Sequence, residues 1–214
     1  SCIENIPFSG EIDITRELCE RVGSRVVFDA HAHACRIETP EIITSRVSEL
    51  SRKNRIPILA VGPLLHRNGV AEVPIVGGDS IGHRPIDFHF EGLAKMGVRI
   101  ERREHSYFAH APEIHGADIE FPFPSVGATE SMLLAAVLAR GRTTIRNAAF
   151  EPEVMNLISM LRGMSARIAV DSAARVIEVS GVSALSGART RVMPDRNEIV
   201  SFAAAALATG GDIF

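Results

Sequence analysis

Two loops and one arginine carry the residue types that could do chemistry. In the stretch GGDSIGHRPIDFH, running from Gly77 to His89, an acid, Asp79, and a cation, Arg84, sit among glycines. Gly77, Gly78 and Gly82 let the backbone approach a ligand closely. Arg84 offers a planar cation to an anion. The loop is expected to follow a strand around Glu72 to Val76 and to precede a helix starting near Pro85, a residue suited to a first helical position. That placement turns helix-start amides toward whatever the loop covers. The plainer reading of the same residues is a solvated glycine-rich turn. The second loop, FPFPSVGATE from Phe121 to Glu130, also feeds a helix, with Ser125 or Thr129 as its cap and Gly127 leaving the start open. Such a start either binds phosphate or only satisfies its own amides. Arg55, in SRKNRIPIL, adds a second cation at the start of an element.

Other polar groups carry weaker signals. DAHAHAC would put Asp29, His31, His33 and Cys35 on one face if extended, and an H-x-H strand can hold zinc. No further ligand set follows, so no metal site is expected. His83 and His89 flank Arg84 and read as structural or solvated. Met155, Met160 and Met164 have helical spacing and are expected to fill core gaps. Glu151 and Glu153 read as acids favoured by a helix dipole.

The elements that must position these groups come from an internal repeat. EIDITRELCERVGSRVVFDAHAHACRIETP, PIDFHFEGLAKMGVRIERREHSYFAHAP and EPEVMNLISMLRGMSARIAVDSAARVIEVSG each read as a helix, a stop and two short strands. The stops, Gly23, Gly97 and Ser165, recur at nearly even intervals. A second set interleaves with the first: apolar helices ending at Gly69, Gly141 and Gly210, each leading into a strand. Helices apolar almost all round are buried on every side, so these three are expected to be central and the amphipathic set outer. SCIENIPF matches TIRNAAFE, Asn5 against Asn147, about two periods further along. The fold class is α/β, with about three β-α-β-α-β-β units.

With 214 residues, 46% apolar and 23% charged, the chain can bury a sizeable core. A net charge of -3 with both signs interspersed provides no field for nucleic acid. The longest apolar stretches fall short of the roughly 20 residues of a bilayer span, so no membrane partner is expected. Three cysteines without C-x-x-C spacing suit a reducing, cytoplasmic setting.

GGDSIGHRPIDFHFEGLAKMG, PSVGATESMLLAAVLARG, NAAFEPEV and PDRNE together resemble the UDP-N-acetylglucosamine 1-carboxyvinyltransferase family of enolpyruvyl transferases, over essentially all 214 residues. The resemblance implies an inside-out α/β barrel of two lobes, each of three such units, of which this chain is mainly one. Residues 1–193 would be the substrate-binding lobe. Residues 194–214 would be the inter-lobe crossing with the first helix and strand of the second lobe, or a helix closing the third unit. The implied reaction moves the enolpyruvyl group of phosphoenolpyruvate onto the 3-hydroxyl of UDP-N-acetylglucosamine, the first committed step of peptidoglycan synthesis, with no cofactor or metal. Carried over, Arg55 and Arg84 meet the anionic substrates. Pro85, Ile86, Asp87 and Phe88 line the nucleotide pocket with Pro124, Ser125, Val126 and Gly127.

In this family the position of Asp79 is usually a cysteine, proposed as the acid and alkylated by fosfomycin. A carboxyl ordinarily ionises near about 3.9 and a thiol near about 8.5, so an aspartate in that role must be kept protonated by burial or substrate charge. The resemblance therefore implies Asp79 and Arg84 as catalytic groups and fosfomycin resistance. Departures from the family pattern also stand out. Its Lys-Asn pair has no counterpart here, most of the other lobe is absent, and Phe123 stands where many relatives have lysine. Asp195 and Arg196 fall at the crossing between lobes. Turnover is expected to need the missing lobe or a second chain. The alternatives are a non-catalytic nucleotide-sugar or protein-binding domain, enolpyruvyl transfer to another nucleotide, and, as the weakest, transfer to shikimate 3-phosphate.

Overall fold

The computed structural model describes residues 1–50, 55–75 and 86–213. β1 (Cys2–Glu4) leads to α1 (Gly10–Arg21), β2 (Arg25–Asp29) and β3 (Ala34–Glu38). The second stretch holds α2 (Ile56–Leu59), α3 (Val61–Asn68), β4 (Val70–Pro74), α4 (Asp87–Lys95), β5 (Arg99–Arg102) and β6 (Ser106–His110). The third holds β7 (Asp118–Glu120), α5 (Val126–Ala136), β8 (Arg142–Arg146), α6 (Pro152–Gly163), β9 (Arg167–Asp171) and β10 (Val176–Ser180). β11 (Arg189–Arg191) and α7 (Arg196–Thr209) follow.

Three sheets result, ordered β11-β1-β3-β2, β4-β6-β5 and β7-β8-β10-β9. Each contains an antiparallel hairpin, and the first and third each carry one parallel edge, β1 with β11 and β7 with β8. The parallel bridge Arg46–Glu72 plays that part in the second. The chain therefore forms three units, each with an outer helix (α1, α4 or α6) before its hairpin. An inner position lies between the two parallel strands, and α2–α3 and α5 occupy it in the second and third units. Inner helices join parallel strands because such strands need a crossover.

Local chemistry explains the repeated stops. Gly23, Gly97 and Ser165 all have positive φ, and the amide beyond each bonds five residues back: Ser24 to Cys19, Val98 to Leu93 and Ala166 to Leu161. This turn satisfies carbonyls left over at a helix end. With Asn5 set on Asn147, the first and third units match without a gap, since α1, β2 and β3 have the same lengths and positions as α6, β9 and β10. Asn5 and Asn147 both adopt positive φ, and their side-chain amides donate to Val192 and Phe121, one on each neighbouring parallel segment. Ile6 N–H donates to His33 O as Ala148 N–H does to Arg175 O.

The core gathers around α5, which touches α2, α3, α4 and α6. Gly62 of α3 lies against α5, where an added Cβ would stand 3.1 Å from the Ala135 backbone. From β1 through β3, the first unit adds only Leu18 and Val22 to the continuous apolar cluster.

Several expectations change. The third apolar helix, α7, is not central: none of its residues is buried, because no described element packs over it. No strand follows it through residue 213 among the described residues. α5 ends at Ala136 with Val137 as its cap, so Gly141 is a turn residue with φ of 100° rather than the helix stop. Gly69 and Gly210, in contrast, are left-handed caps of α3 and α7. The Asp29 to Cys35 stretch is a hairpin turn, not one extended strand. Asp29 Oδ1 accepts from the amides of His31 and Ala32, His33 has positive φ, and Cys35 is buried while both histidines are exposed. Among the described residues no cluster of three potential metal ligands occurs, and no helix is long and apolar enough to cross a membrane.

Candidate functional site

Three helix starts meet at one end of the core. Arg55 is the residue before α2, Ile86 the residue before α4, and Ser125 the residue before α5. Ser125 is in extended conformation and its Oγ accepts from Ala128 N–H at 3.4 Å, while Thr129 N–H bonds to Ser125 O. Helix geometry leaves the amides of Val126 and Gly127 without an intrahelical acceptor. Ser125 is therefore the cap. Thr129 does other work, its hydroxyl accepting from Ala149 N–H at 3.0 Å.

His89 ties these starts together. It is 3% exposed on α4, and its Nδ1 lies 2.7 Å from Ser131 Oγ of α5. Its ring also lies under Gly127, where a Cβ would sit 3.3 Å from Cε1. A side chain at 127 would push the α5 start off this ring. Burial, and then the charge of Arg55, lowers the His89 pKa to about 4, so the ring is neutral at neutral pH and Arg55 lies within electrostatic reach of it. The reading of His89 as structural agrees with this geometry.

An aromatic step borders the same end. Phe88 stacks on Phe121 at 5.9 Å and meets Phe123 edge-on at 4.9 Å. Phe123 itself is 59% exposed. Ile86 is buried, Asp87 exposed in the first turn of α4, Pro124 exposed, and Ser125, Val126 and Gly127 half-buried. Arg55, Ile86, Asp87, Phe88, Pro124, Ser125, Val126 and Gly127 thus fall on three adjoining helix starts. Asp79, Arg84, Pro85 and His83 lie outside the described residues.

Glu130 escaped the sequence reading. Burial first, and then the neighbouring Glu153, raises its carboxyl pKa to about 7. Glu153 is held low by hydrogen bonds from Arg196, at 2.9 to 3.3 Å. The signal was available: Glu130 is the one acid in an otherwise apolar and small-residue helix. Glu151 is the residue before α6, and its Oε2 is buried with no hydrogen-bond partner among the described residues. Asp195 caps α7 through Asn197 N–H at 2.8 Å.

An arginine, two helix starts with free amides and an exposed aromatic can take an anionic ligand with a planar group. The sheets outside, helices inside and three repeated units define the inside-out α/β lobe of enolpyruvyl transferases. The profile of EPSP synthase (3-phosphoshikimate 1-carboxyvinyltransferase) matches residues 1–214, and the chain belongs to that family.

Within it, the chain is 46% identical over 216 residues to UDP-N-acetylglucosamine 1-carboxyvinyltransferase of Chlamydia abortus, covering 99% of this chain and 48% of that protein. It is 41% identical to the protein of the same name from Protochlamydia amoebophila, covering 98% of this chain and 46% of that one. The chain spans about half the length of the curated relatives it matches. Its fold is that of the enolpyruvyl transferase NikO of Streptomyces tendae, with a TM-score of 0.83 at 19% identity, over 96% of this chain and 48% of that one. EPSP synthase of Acinetobacter baumannii follows at a TM-score of 0.73 and 16% identity, over 96% and 47%.

Proposed function

We propose that this chain is the substrate-binding lobe, residues 1–193, of an enzyme that transfers the enolpyruvyl group of phosphoenolpyruvate to the 3-hydroxyl of UDP-N-acetylglucosamine. The observation that carries this reading is the convergence of Arg55 and the starts of α4 and α5 around His89. The names of the 41–46% identical relatives supply the substrate. Residues 194–214 leave the lobe. Ile86, Asp87 and Phe88 border the nucleotide, with Pro85 beside them. Ser125, Val126 and Gly127 present amides to its diphosphate, next to Pro124. Arg55 and Arg84 neutralise anionic oxygens.

In the reaction the sugar hydroxyl adds to C2 of phosphoenolpyruvate while an acid delivers a proton to the methylene carbon. Loss of that carbon's proton then expels phosphate and restores the double bond. Asp79 is the acid, protonated when substrate charge and closure disfavour its carboxylate. An aspartate there has no thiol for fosfomycin to alkylate, so the chain remains unmodified by the drug. The setting is the cytoplasm and the pathway peptidoglycan synthesis. Turnover calls for the other lobe, because one lobe presents only half of the cations and acid–base groups the reaction uses.

Calorimetric titration of the chain with UDP-N-acetylglucosamine, beside UMP, shikimate 3-phosphate and an Arg84→Ala control, tests this. Binding that prefers the nucleotide sugar and is lost in the control is expected. A preference for shikimate 3-phosphate would reassign the substrate.

A further inference from the structure

The connection from β7 to α5 holds one phenylalanine out in solvent. Phe123 is 59% exposed, while Phe121, two residues earlier, is 3% exposed. Both rings meet Phe88 of α4, Phe121 stacked on it at 5.9 Å and Phe123 edge-on at 4.9 Å. A buried ring thus supports a half-buried one, and that one props the exposed ring.

A single exposed apolar side chain is ordinary on a protein surface. This one differs in being held. Phe121 is pinned through both backbone groups, its N–H donating to Arg146 O at 3.2 Å and its carbonyl accepting from Asn147 Nδ2 at 2.9 Å. Ser125 is pinned by the first turn of α5. Between these anchors Pro122 and Pro124 flank Phe123, fixing their own φ and keeping the residues before them extended. A ring ordered in advance gives up little freedom when a ligand lands on it.

The repeat does not ask for this ring. β11 precedes α7 as β7 precedes α5, and with Pro194 set on Pro124 the place of Phe123 falls to Met193. What sets Phe123 apart is its neighbourhood. The amides of Val126 and Gly127 begin three residues further on, a span of at most roughly 10 Å, and Arg55 lies at the same end of the core. A nucleoside phosphate has a similar reach from its base to its phosphate.

We propose that Phe123 is a specificity residue whose exposed ring stacks on the planar base of the nucleotide while the start of α5 holds the phosphate. This rests on the nucleotide reading above and adds to it the side chain that distinguishes a nucleotide from a bare sugar phosphate. Truncating an aromatic that stacks on a base weakens binding by about tenfold or more.

Titration of the chain with UMP and with ribose 5-phosphate, before and after Phe123→Ala, measures the contribution of the base. The unaltered chain is expected to prefer UMP by about tenfold, Phe123→Ala to abolish that preference, and Phe123→Trp to restore it. Because the ring is exposed, these changes spare the core. In proton NMR the H5 and H6 signals of bound UMP should move upfield in the ring current of Phe123 and lose that shift in Phe123→Ala. A preference for UMP that survives Phe123→Ala, an equal loss of both ligands, or unshifted base signals in the unaltered complex would overturn the stacking role and leave the nucleotide reading standing. Failure of the unaltered chain to bind either UMP or UDP-N-acetylglucosamine would overturn both.

Discussion

The first and third units are built on one plan, and among the described residues only the third holds an inner helix. Their outer helices, hairpins, left-handed asparagines and helix stops coincide once Asn5 is set on Asn147. What differs is the helix between the parallel strands. α5 fills that position in the third unit and turns its sheet residues into core, while the first unit leaves the matching residues against a groove. Local sequence makes a unit's elements, and an inner helix makes them a core.

The largest test of this difference is a pair of equal truncations. Ile145→Ala removes a fully buried side chain and is expected to cost about 3 to 4 kcal/mol in denaturant unfolding. Ile3→Ala, at the matching position, should cost about 1 kcal/mol, because the half-exposed site leaves little cavity. Equal costs would break the comparison.

The side that holds the inner helices also carries buried ionisable groups, which give it a pH signature. The His89 pKa is lowered from 6.5 to about 4, so the native state favours the neutral ring. As pH falls below 6.5 the unfolded chain takes up this proton first, and stability drops until about pH 4, by about 3 kcal/mol in all. His89→Asn should flatten that part of the stability profile; an unchanged slope would remove His89 as its cause.

Glu130 works in the opposite direction. Its pKa is raised from 4.5 to about 7, so as pH rises through this window the unfolded chain loses the proton first and stability falls. Partial exposure of the carboxyl limits the effect to about 2 kcal/mol. Glu130→Gln is expected to stabilise the chain by this amount at pH above the window and to have little effect below it. Thermal unfolding on both sides of the window sharpens the comparison, since the matching position on α7 is Val200, which is exposed.

Much of the plan could be read from residues alone. The stops at Gly23, Gly97 and Ser165, a cap at Ser125 or Thr129, the match of Asn5 with Asn147 and the grouping of Arg55 with two helix starts all follow from short patterns; the structure chose Ser125 as the cap. Glu130 did not stand out, because its meaning depends on Glu153, brought near by α6. The zinc-like spacing of Asp29, His31, His33 and Cys35 dissolved in a turn, because alternation places residues on one face only while the chain stays extended.

What the sequence determined by itself is whatever a backbone settles within a few residues: caps, left-handed stops, strand alternation and a repeat that reuses them. Only the tertiary structure decided which of three similar apolar helices is covered. α3, α5 and α7 read alike, yet α3 and α5 are core and α7 is bare. Burial depends on partners supplied from distant parts of the chain, and neither the composition nor the period of a helix specifies whether that partner is present.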